Sequence, residues 1–481
     1  MKYNLRIFVL IVGLSVFLRI FLLDYESLWL DEGSSVKFAK MKVQEIFKST
    51  QTDAHPPLYY LLLHIWIKIF GDSEFSLRFP SALFGIFCVI VVYKFCLDFL
   101  NEKIALISSL IMGVSTFQVF YSQEARMYSL LCLLSILSFY YFVKVLRRDD
   151  FKNFVFYLIV NVLLIYTHLY SFFTFFAQFI FILIFERGKF KKFALAFLVL
   201  FIFYLPRSFI LLKQANEILV SGEFWLPKPN FIDIVKTFAQ FSGGTYPMPR
   251  DETGKILIVR FALEYASSGL LLLVLLSLLI YSIFAFKNLT NEARKIYILL
   301  WFWFVMPIFV PFVLSQFLTP FYFTRYAISS SVAFYIISSI GFANIEDKFK
   351  RSLLVLILFL SAINLFWYYV KTNKEEWREA VKFVENNASV NDLVIASKYV
   401  FFYYAKRNDV EKFEFPDVSE SERIKLIEKL RQSISGRNRV WFVSAHAPDI
   451  EKIVVSVLSD SMRFEFKKKF MGVDVFVFEK F

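Results

Sequence analysis

Residues 262–286 and 352–370 are nearly unbroken apolar runs. At a rise of about 1.5 Å per residue, each is long enough to cross the hydrocarbon core of a bilayer as a helix. Nine further runs, near 5–23, 79–97, 104–120, 127–146, 153–167, 170–185, 193–211, 296–314 and 326–343, extend the pattern. With 58% hydrophobic residues and a mean hydropathy of +0.56, the chain is excluded from the soluble class. A membrane-spanning barrel would show short alternating segments instead. The expected fold is therefore an α-helical multi-pass membrane protein of about eleven spans, followed by a small α/β domain.

Charge sets the topology. Lys2 and Arg6 put the amino terminus in the cytoplasm. The first run ends at Leu22-Leu23-Asp24-Tyr25 without a small-residue cleavage site, so it reads as an uncleaved anchor. Residues 57–70 are short for a span, start on two prolines and contain His64 and Lys68, which suits a helix lying at the interface. With 57–70 lying flat, Lys94 to Lys103, Arg147-Arg148, Arg187 to Lys192, Lys287 to Lys295 and Lys348 to Arg351 all fall inside. These clusters account for the net charge of +13 without a nucleic-acid partner. The same parity puts Asp31-Glu32, Gln123-Glu124-Ala125-Arg126, His168, the loop 212–261 and Arg325 outside. There, interfacial helices near 33–48 and 57–70 would roof a cavity open to both lipid and water.

After Val370 the composition shifts. Strands near 392–396, 440–443 and 473–478 alternate with helical patterns at 375–386 and 419–433, dividing the chain into a membrane domain, 1–370, and an outer α/β domain, 371–481. That domain shows no phosphate loop or catalytic dyad and is expected to brace the outer face or help choose an acceptor. Cys88, Cys96 and Cys132 lie in apolar runs without CxxC spacing, which argues against disulfides or a zinc knuckle. In the loop 212–261, Phe224, Trp225 and Tyr246 are candidate sugar-facing or lipid-gating aromatics.

Four ordered motifs carry the chemistry: Leu28-Trp29-Leu30-Asp31-Glu32, Asp53-Ala54-His55-Pro56-Pro57-Leu58-Tyr59-Tyr60, Ser76-Leu77-Arg78-Phe79-Pro80-Ser81-Ala82, and Tyr121-Ser122-Gln123-Glu124-Ala125-Arg126-Met127-Tyr128. Together they resemble the GT-C glycosyltransferases, in particular the group related to protein O-mannosyltransferases and lipid A aminoarabinose transferases. A looser similarity continues through Tyr166-Thr167-His168 and Phe224-Trp225-Leu226-Pro227. The aminoarabinose transferases carry Glu-Lys where this chain has Ala54-His55, so the mannosyltransferase-like pattern fits better.

The resemblance implies inverting transfer of a sugar from a polyprenyl phosphate (undecaprenyl or dolichyl) to an acceptor hydroxyl on a lipid, glycan or protein, at the outer face of a plasma or inner membrane. A weakly nucleophilic hydroxyl needs a carboxylate base, for which Asp31, with Glu32 beside it, is the candidate. The leaving lipid phosphate needs cationic donors, and His55, Arg78, Arg126 and Arg325 are assigned to it. Asp53, Glu124 and His168 are assigned to the acceptor or to a divalent metal cation.

Plainer roles stand beside these. Asp31 suits the amino end of a helix starting near Gly33, Arg78 and Arg126 suit snorkelling anchors, and Arg19 suits either snorkelling or the cavity. Competing functions are a transporter or flippase of lipid-linked sugar, or a scaffold. Against the first, charge is concentrated at one interface rather than at mid-membrane. The scaffold leaves the Asp-x-His-Pro-Pro motif unexplained.

Overall fold

The computed structural model describes residues 2–481 except 52, 54, 149, 222–225, 245–257, 417 and 419. The chain forms two compact units. One comprises Met1–Phe21, Lys42–Gly71 and Ser76–Lys371; the other comprises Leu22–Met41, Asp72–Phe75 and Thr372–Phe481. The second unit thus takes in two stretches of the chain between residues 22 and 75 as well as the carboxyl-terminal region.

In chain order the helices up to Val370 are α1 Lys2–Ile20, α2 Leu30–Ala39, α3 Val43–Ser49, α4 Leu58–Phe70, α5 Glu74–Phe99, α6 Glu102–Val114, α7 Thr116–Ser122, α8 Tyr128–Arg147, α9 Phe151–Ile165, α10 Ser171–Phe185, α11 Phe190–Ser221, α12 Phe231–Phe241, α13 Ile258–Ala285, α14 Asn291–Phe317, α15 Ile328–Asn344 and α16 Asp347–Val370. Among the described residues seven of these are long and apolar enough to cross a membrane. The pair α6 and α7, bent by 60°, makes up to eight. All eleven runs read from the sequence are helical, but α9 and α10 have only 15 residues each. At about 1.5 Å per residue, each is shorter than the hydrocarbon core is thick.

Two expectations are corrected. The single interfacial helix expected over 33–48 is two helices, because Lys40, Met41 and Lys42 separate α2 from α3 and the two belong to different units. The loop expected over 212–261 is largely helical at its ends, with α11 running on to Ser221, α13 starting at Ile258, and α12 between them. Phe224, Trp225 and Tyr246 lie outside the described residues.

Helix starts are set by short polar side chains. Asn101 accepts from Ile104 N at 3.0 Å ahead of α6, Asp150 from Lys152 N at 3.0 Å ahead of α9, and Asn230 from Ile232 N at 2.9 Å ahead of α12. The middle of the membrane unit is α15, buried along nearly its whole length. Small residues let its neighbour come close, and a Cβ on Gly341 would sit 1.9 Å from Leu278 O on α13.

The second unit holds a five-stranded sheet in the order β2-β1-β3-β5-β4, built from β1 Leu393–Ala396, β2 Glu411–Glu414, β3 Arg439–Ser444, β4 Met462–Phe470 and β5 Val473–Lys480. β1 is parallel to both β2 and β3, whereas β5 is antiparallel to β3 and β4. Its helices are α2, α17 Trp377–Asn387, α18 Tyr399–Tyr404, α19 Glu420–Ile434 and α20 Pro448–Ser459. Leu430, Ile434, Ile450, Val454 and Leu458 of α19 and α20 pack with Leu393, Ile395, Val440 and Phe442 of the sheet.

Candidate active site

In the membrane unit the two histidines of the motifs meet. Leu58 N donates to Tyr166 O at 3.1 Å, fastening the start of α4 to the end of α9. The His55 and His168 rings then lie with centroids 5.0 Å apart. Tyr326 closes on both, at 6.0 and 4.7 Å, and Tyr128 lies 6.3 Å from His168. Two guanidinium groups face the same aromatic wall: Arg126 is 6.0 Å from the Tyr128 ring, while Arg325 is 5.5 Å from Tyr128 and 4.7 Å from Phe323.

Each residue is placed by local bonding. Gln123 donates from Nε2 to the backbone oxygens of Leu18, Arg19 and Phe21 and accepts from Tyr368 OH at 2.7 Å, so it anchors the turn that carries Glu124 and Arg126. Ser81 Oγ donates to Arg126 O at 3.1 Å and is itself 2.9 Å from Tyr59 OH. Ser315 Oγ accepts from Phe321 N and Tyr322 N at 3.0 and 3.1 Å, and so shapes the turn that leads to Arg325. Asp53 accepts from Tyr60 OH at 2.9 Å and from His55 N at 3.3 Å.

Burial, and then the charges of Arg126, His168, Arg325 and Arg207, hold His55 well below the usual histidine range. Burial followed by Arg126 and Arg325 brings His168 down to about 3. Both imidazoles are therefore neutral at working pH. Because Tyr170 N donates to His168 Nδ1 at 3.1 Å, the ring proton is assigned to Nε2. That nitrogen is buried and has no hydrogen-bond partner among the described residues.

Arg207 was not singled out in the sequence. It follows Pro206 in the middle of α11, and its guanidinium donates to Thr50 O and, at 3.0 Å, to Asp53 O, holding the strand of chain that enters the His-Pro-Pro turn. An arginine late in the 193–211 run was the available signal. Arg19, by contrast, neither snorkels nor joins this cluster. It is fully buried and donates to Ser15 Oγ at 2.7 Å, Gly113 O at 3.0 Å and Met112 O at 3.2 Å. Arg78 and Glu124 are each 1% exposed.

Asp31 and Glu32 belong to the second unit. The helix that carries them starts at Leu30, three residues before Gly33, so Asp31 sits inside the first turn rather than ahead of it. Glu32 fills the capping role, accepting from Trp29 N at 3.4 Å, and it also pairs with Lys374 Nζ at 3.3 Å, both side chains being buried. Leu30 N donates to Glu375 Oε2 at 3.1 Å, and Leu28 N to Tyr404 OH at 2.6 Å. Gly33 abuts Val400, where a Cβ would lie 2.2 Å from a methyl carbon.

The residues were also tested as a cation site. Among the described residues no three of His, Cys, Asp and Glu converge to hold a metal ion. Asp53 has its carboxylate taken by Tyr60 and His55, so no step is routed through a metal.

Residues 54–209 match the family model for dolichyl-phosphate-mannose-protein mannosyltransferase. No curated protein matches the chain. Among solved structures, ArnT from Cupriavidus metallidurans in the apo state superposes with a TM-score of 0.60 at 12% identity, over 98% of this chain and 97% of that one. Bound to undecaprenyl phosphate, the same protein gives 0.61 at 11% identity over the same shares. The Archaeoglobus fulgidus oligosaccharyltransferase in complex with Zn and sulfate gives 0.55 at 13% identity, over 97% of this chain and 73% of that one. With an acceptor peptide tethered it gives 0.54 at 12%, over 98% and 74%. The chain therefore has the membrane fold of the GT-C glycosyltransferases, as its motifs implied. Within that fold, its 54–209 segment is mannosyltransferase-like.

Proposed function

We propose that this chain is an inverting glycosyltransferase that moves a sugar from a polyprenyl phosphate to an acceptor hydroxyl at the outer face of a cell membrane, with the amino terminus cytoplasmic and the carboxyl-terminal unit outside. The observation that carries the reading is the buried cationic cluster of the membrane unit. Arg126, Arg325 and Arg207 act together on His55, and His168 Nε2 is left as a buried donor. Such an excess of positive charge and N–H donors suits the developing charge of a lipid phosphate, whose oxygens guanidinium N–H forks recognise bidentately.

An apolar cleft of about 590 Å³ supports a lipid tail. It is lined by Phe172, Phe173, Phe175 and Phe176 of α10, Phe197 of α11, and Val310 and Leu314 of α14. Its first residues follow His168 and Tyr170 directly in the chain. A flippase reading gains nothing from the polar cluster between α8, α9 and α10, whose members satisfy one another. Tyr157 OH donates to Gln178 Oε1 at 2.6 Å, Gln178 Nε2 to Ser138 Oγ at 2.8 Å, and Ser138 Oγ to Asn161 Oδ1 at 2.6 Å.

In the reaction the acceptor oxygen forms a bond to the anomeric carbon from the face opposite the phosphate. The carbon–oxygen bond to phosphate breaks with its electron pair on the phosphate, and the acceptor proton passes to Asp31. Glu32, already paired with Lys374, is left to position the helix. Arg126, Arg325 and His55 stabilise the departing phosphate, with Arg78 assigned to the same task. Asp53 holds the turn of His55 through the bond from His55 N, and Glu124 is assigned to orienting the acceptor.

The test is transfer of radiolabelled sugar from a polyprenyl phosphate sugar in membranes. Asp31→Asn lowers the rate by about 10²–10⁴-fold with donor binding intact, whereas Arg126→Ala weakens donor binding itself. An Asp31→Asn protein with wild-type transfer would defeat the base assignment.

A further inference from the structure

The second unit has, at the carboxyl ends of its parallel strands, the crevice position of an open α/β sheet, which the transfer reaction described above does not use. β1 lies between β2 and β3, all three parallel. From β1 the chain leaves by α18 toward β2 on one side, and from β3 it leaves by α20 toward β4 and β5 on the other. The carboxyl ends of β1 and β3 therefore flank a topological switch point, the place where open α/β sheets bind their ligands.

What stands at those ends is polar. Ser397 follows β1 and Ser444 ends β3, joined by Ser397 N donating to Val443 O at 3.3 Å. Both serine hydroxyls are buried and make no hydrogen bond among the described residues. Two residues past β3, His446 has φ +50°, a left-handed conformation that is disfavoured for a non-glycine residue. That backbone brings His446 Nε2 to 2.7 Å from Glu375 Oε1 while leaving the side chain 56% exposed. Glu375 is fixed in turn by Trp377 Nε1 at 2.5 Å and by Leu30 N, the residue before Asp31.

The charged groups around His446 are Glu375, Lys398 and Asp31. Its hydrogen bond to Glu375 raises the imidazole above its usual range, against burial. Strain held at one exposed imidazole, beside two buried hydroxyls lacking partners, marks a binding site rather than a fold requirement.

We propose that this crevice binds the sugar hydroxyls of a glycan acceptor, with His446, held by Glu375, presenting one of them to Asp31. The proposal rests on the reading of Asp31 as base. Two of its charged pairs are closed, Glu375 with His446 and Glu32 with Lys374, and the carboxylates of Glu375 and Asp31 beside His446 disfavour a phosphate or an acidic peptide. Serine hydroxyls and an imidazole instead offer the mixed donors and acceptors that a polyol matches.

The experiment uses the full chain in nanodiscs and saturation-transfer NMR. The probes are methyl α-D-mannopyranoside, methyl α-D-glucopyranoside and a neutral serine-containing peptide, compared between wild type, His446→Asn and Ser444→Ala. Asparagine tolerates the left-handed backbone, so His446→Asn tests the imidazole while keeping the turn. The expected result is glycoside binding by wild type that weakens about tenfold in His446→Asn, as for a lost hydrogen bond to a charged group, with polyprenyl phosphate binding unchanged. Equal glycoside signals in wild type and His446→Asn overturn the proposal, as does binding of the peptide alone. A silent His446→Asn beside an inactive Asp31→Asn sinks this site and leaves the transferase reading standing. An active Asp31→Asn sinks the base and leaves the crevice to be judged by the glycoside signals alone.

Discussion

His168 shows how burial, not residue type, fixes what a side chain can do. With its proton assigned to Nε2 and its basicity driven down to about 3, it offers a neutral N–H to an anion without first bringing a charge of its own into a low-dielectric site. The cost appears in stability. Unfolded, the imidazole binds a proton near pH 6.5, while folded it does so only near 3, so the unfolded chain holds more protons throughout that window. Stability is complete above about pH 6.5 and falls as the pH is lowered toward 3, and His55 pulls in the same direction. Thermal unfolding in detergent between pH 8 and 4.5 should show this fall in wild type and a shallower one in His168→Asn. Equal slopes would mean that His168 is solvated. At this scale the sequence was a good guide to residue type, since His55, His168, Arg126 and Arg325 stood out as polar groups at the ends of apolar runs. It was a poor guide to partners. Arg207 looked like any late-span arginine, and the partner of Glu32 is Lys374, 342 positions away.

Among the elements, the break between α6 and α7 governs the site, because α7 leads straight into the turn that holds Glu124 and Arg126. A helix bent by 60° inside a membrane protein leaves carbonyls without helical partners, and lipid offers them none. Arg19 supplies the missing donors to Met112 O and Gly113 O, and Gly85 gives it room: a Cβ there would lie 2.9 Å from Arg19 Nε and 2.0 Å from Ser122 Oγ. Arg19→Leu should therefore destabilise the protein by about 2–4 kcal/mol, leaving buried carbonyls unpaired, and Gly85→Ala should reduce transfer by displacing α7. Unfolding midpoints and transfer rates of the two variants check this; a wild-type midpoint for Arg19→Leu would show that the bend holds itself. The spans themselves were legible because apolar runs have one solution in lipid. The bend was not, since Val114, Ser115 and Thr116 read as uninterrupted helix. β4 was missed for a related reason: as an edge strand it carries Lys467, Lys468 and Lys469, charges that discourage edge-to-edge pairing and that look like a loop in sequence.

For the whole molecule, the decisive feature is that the acid-bearing α2 is part of the same compact unit as the carboxyl-terminal sheet. Composition shifts near 370, because lipid-facing and water-facing chain differ in kind. It gave no hint that residues 22–41 fold with a sheet formed far downstream. One of the links is the Glu32–Lys374 pair, with Glu32 0% and Lys374 4% exposed at the side chain. A buried pair is costly to break from one side, because the remaining charge stays desolvated, yet its replacement by apolar groups of similar volume is often neutral. Lys374→Met alone should therefore destabilise this unit by about 3–5 kcal/mol, while Glu32→Leu combined with Lys374→Met recovers most of that loss. If the pair serves only to hold α2, the double variant also recovers sugar transfer, since Asp31 keeps its backbone contacts through Leu30 and Glu375. Recovered stability without recovered transfer would instead make the Glu32 carboxylate part of the chemistry, and the base would then be the Asp31-Glu32 pair acting together.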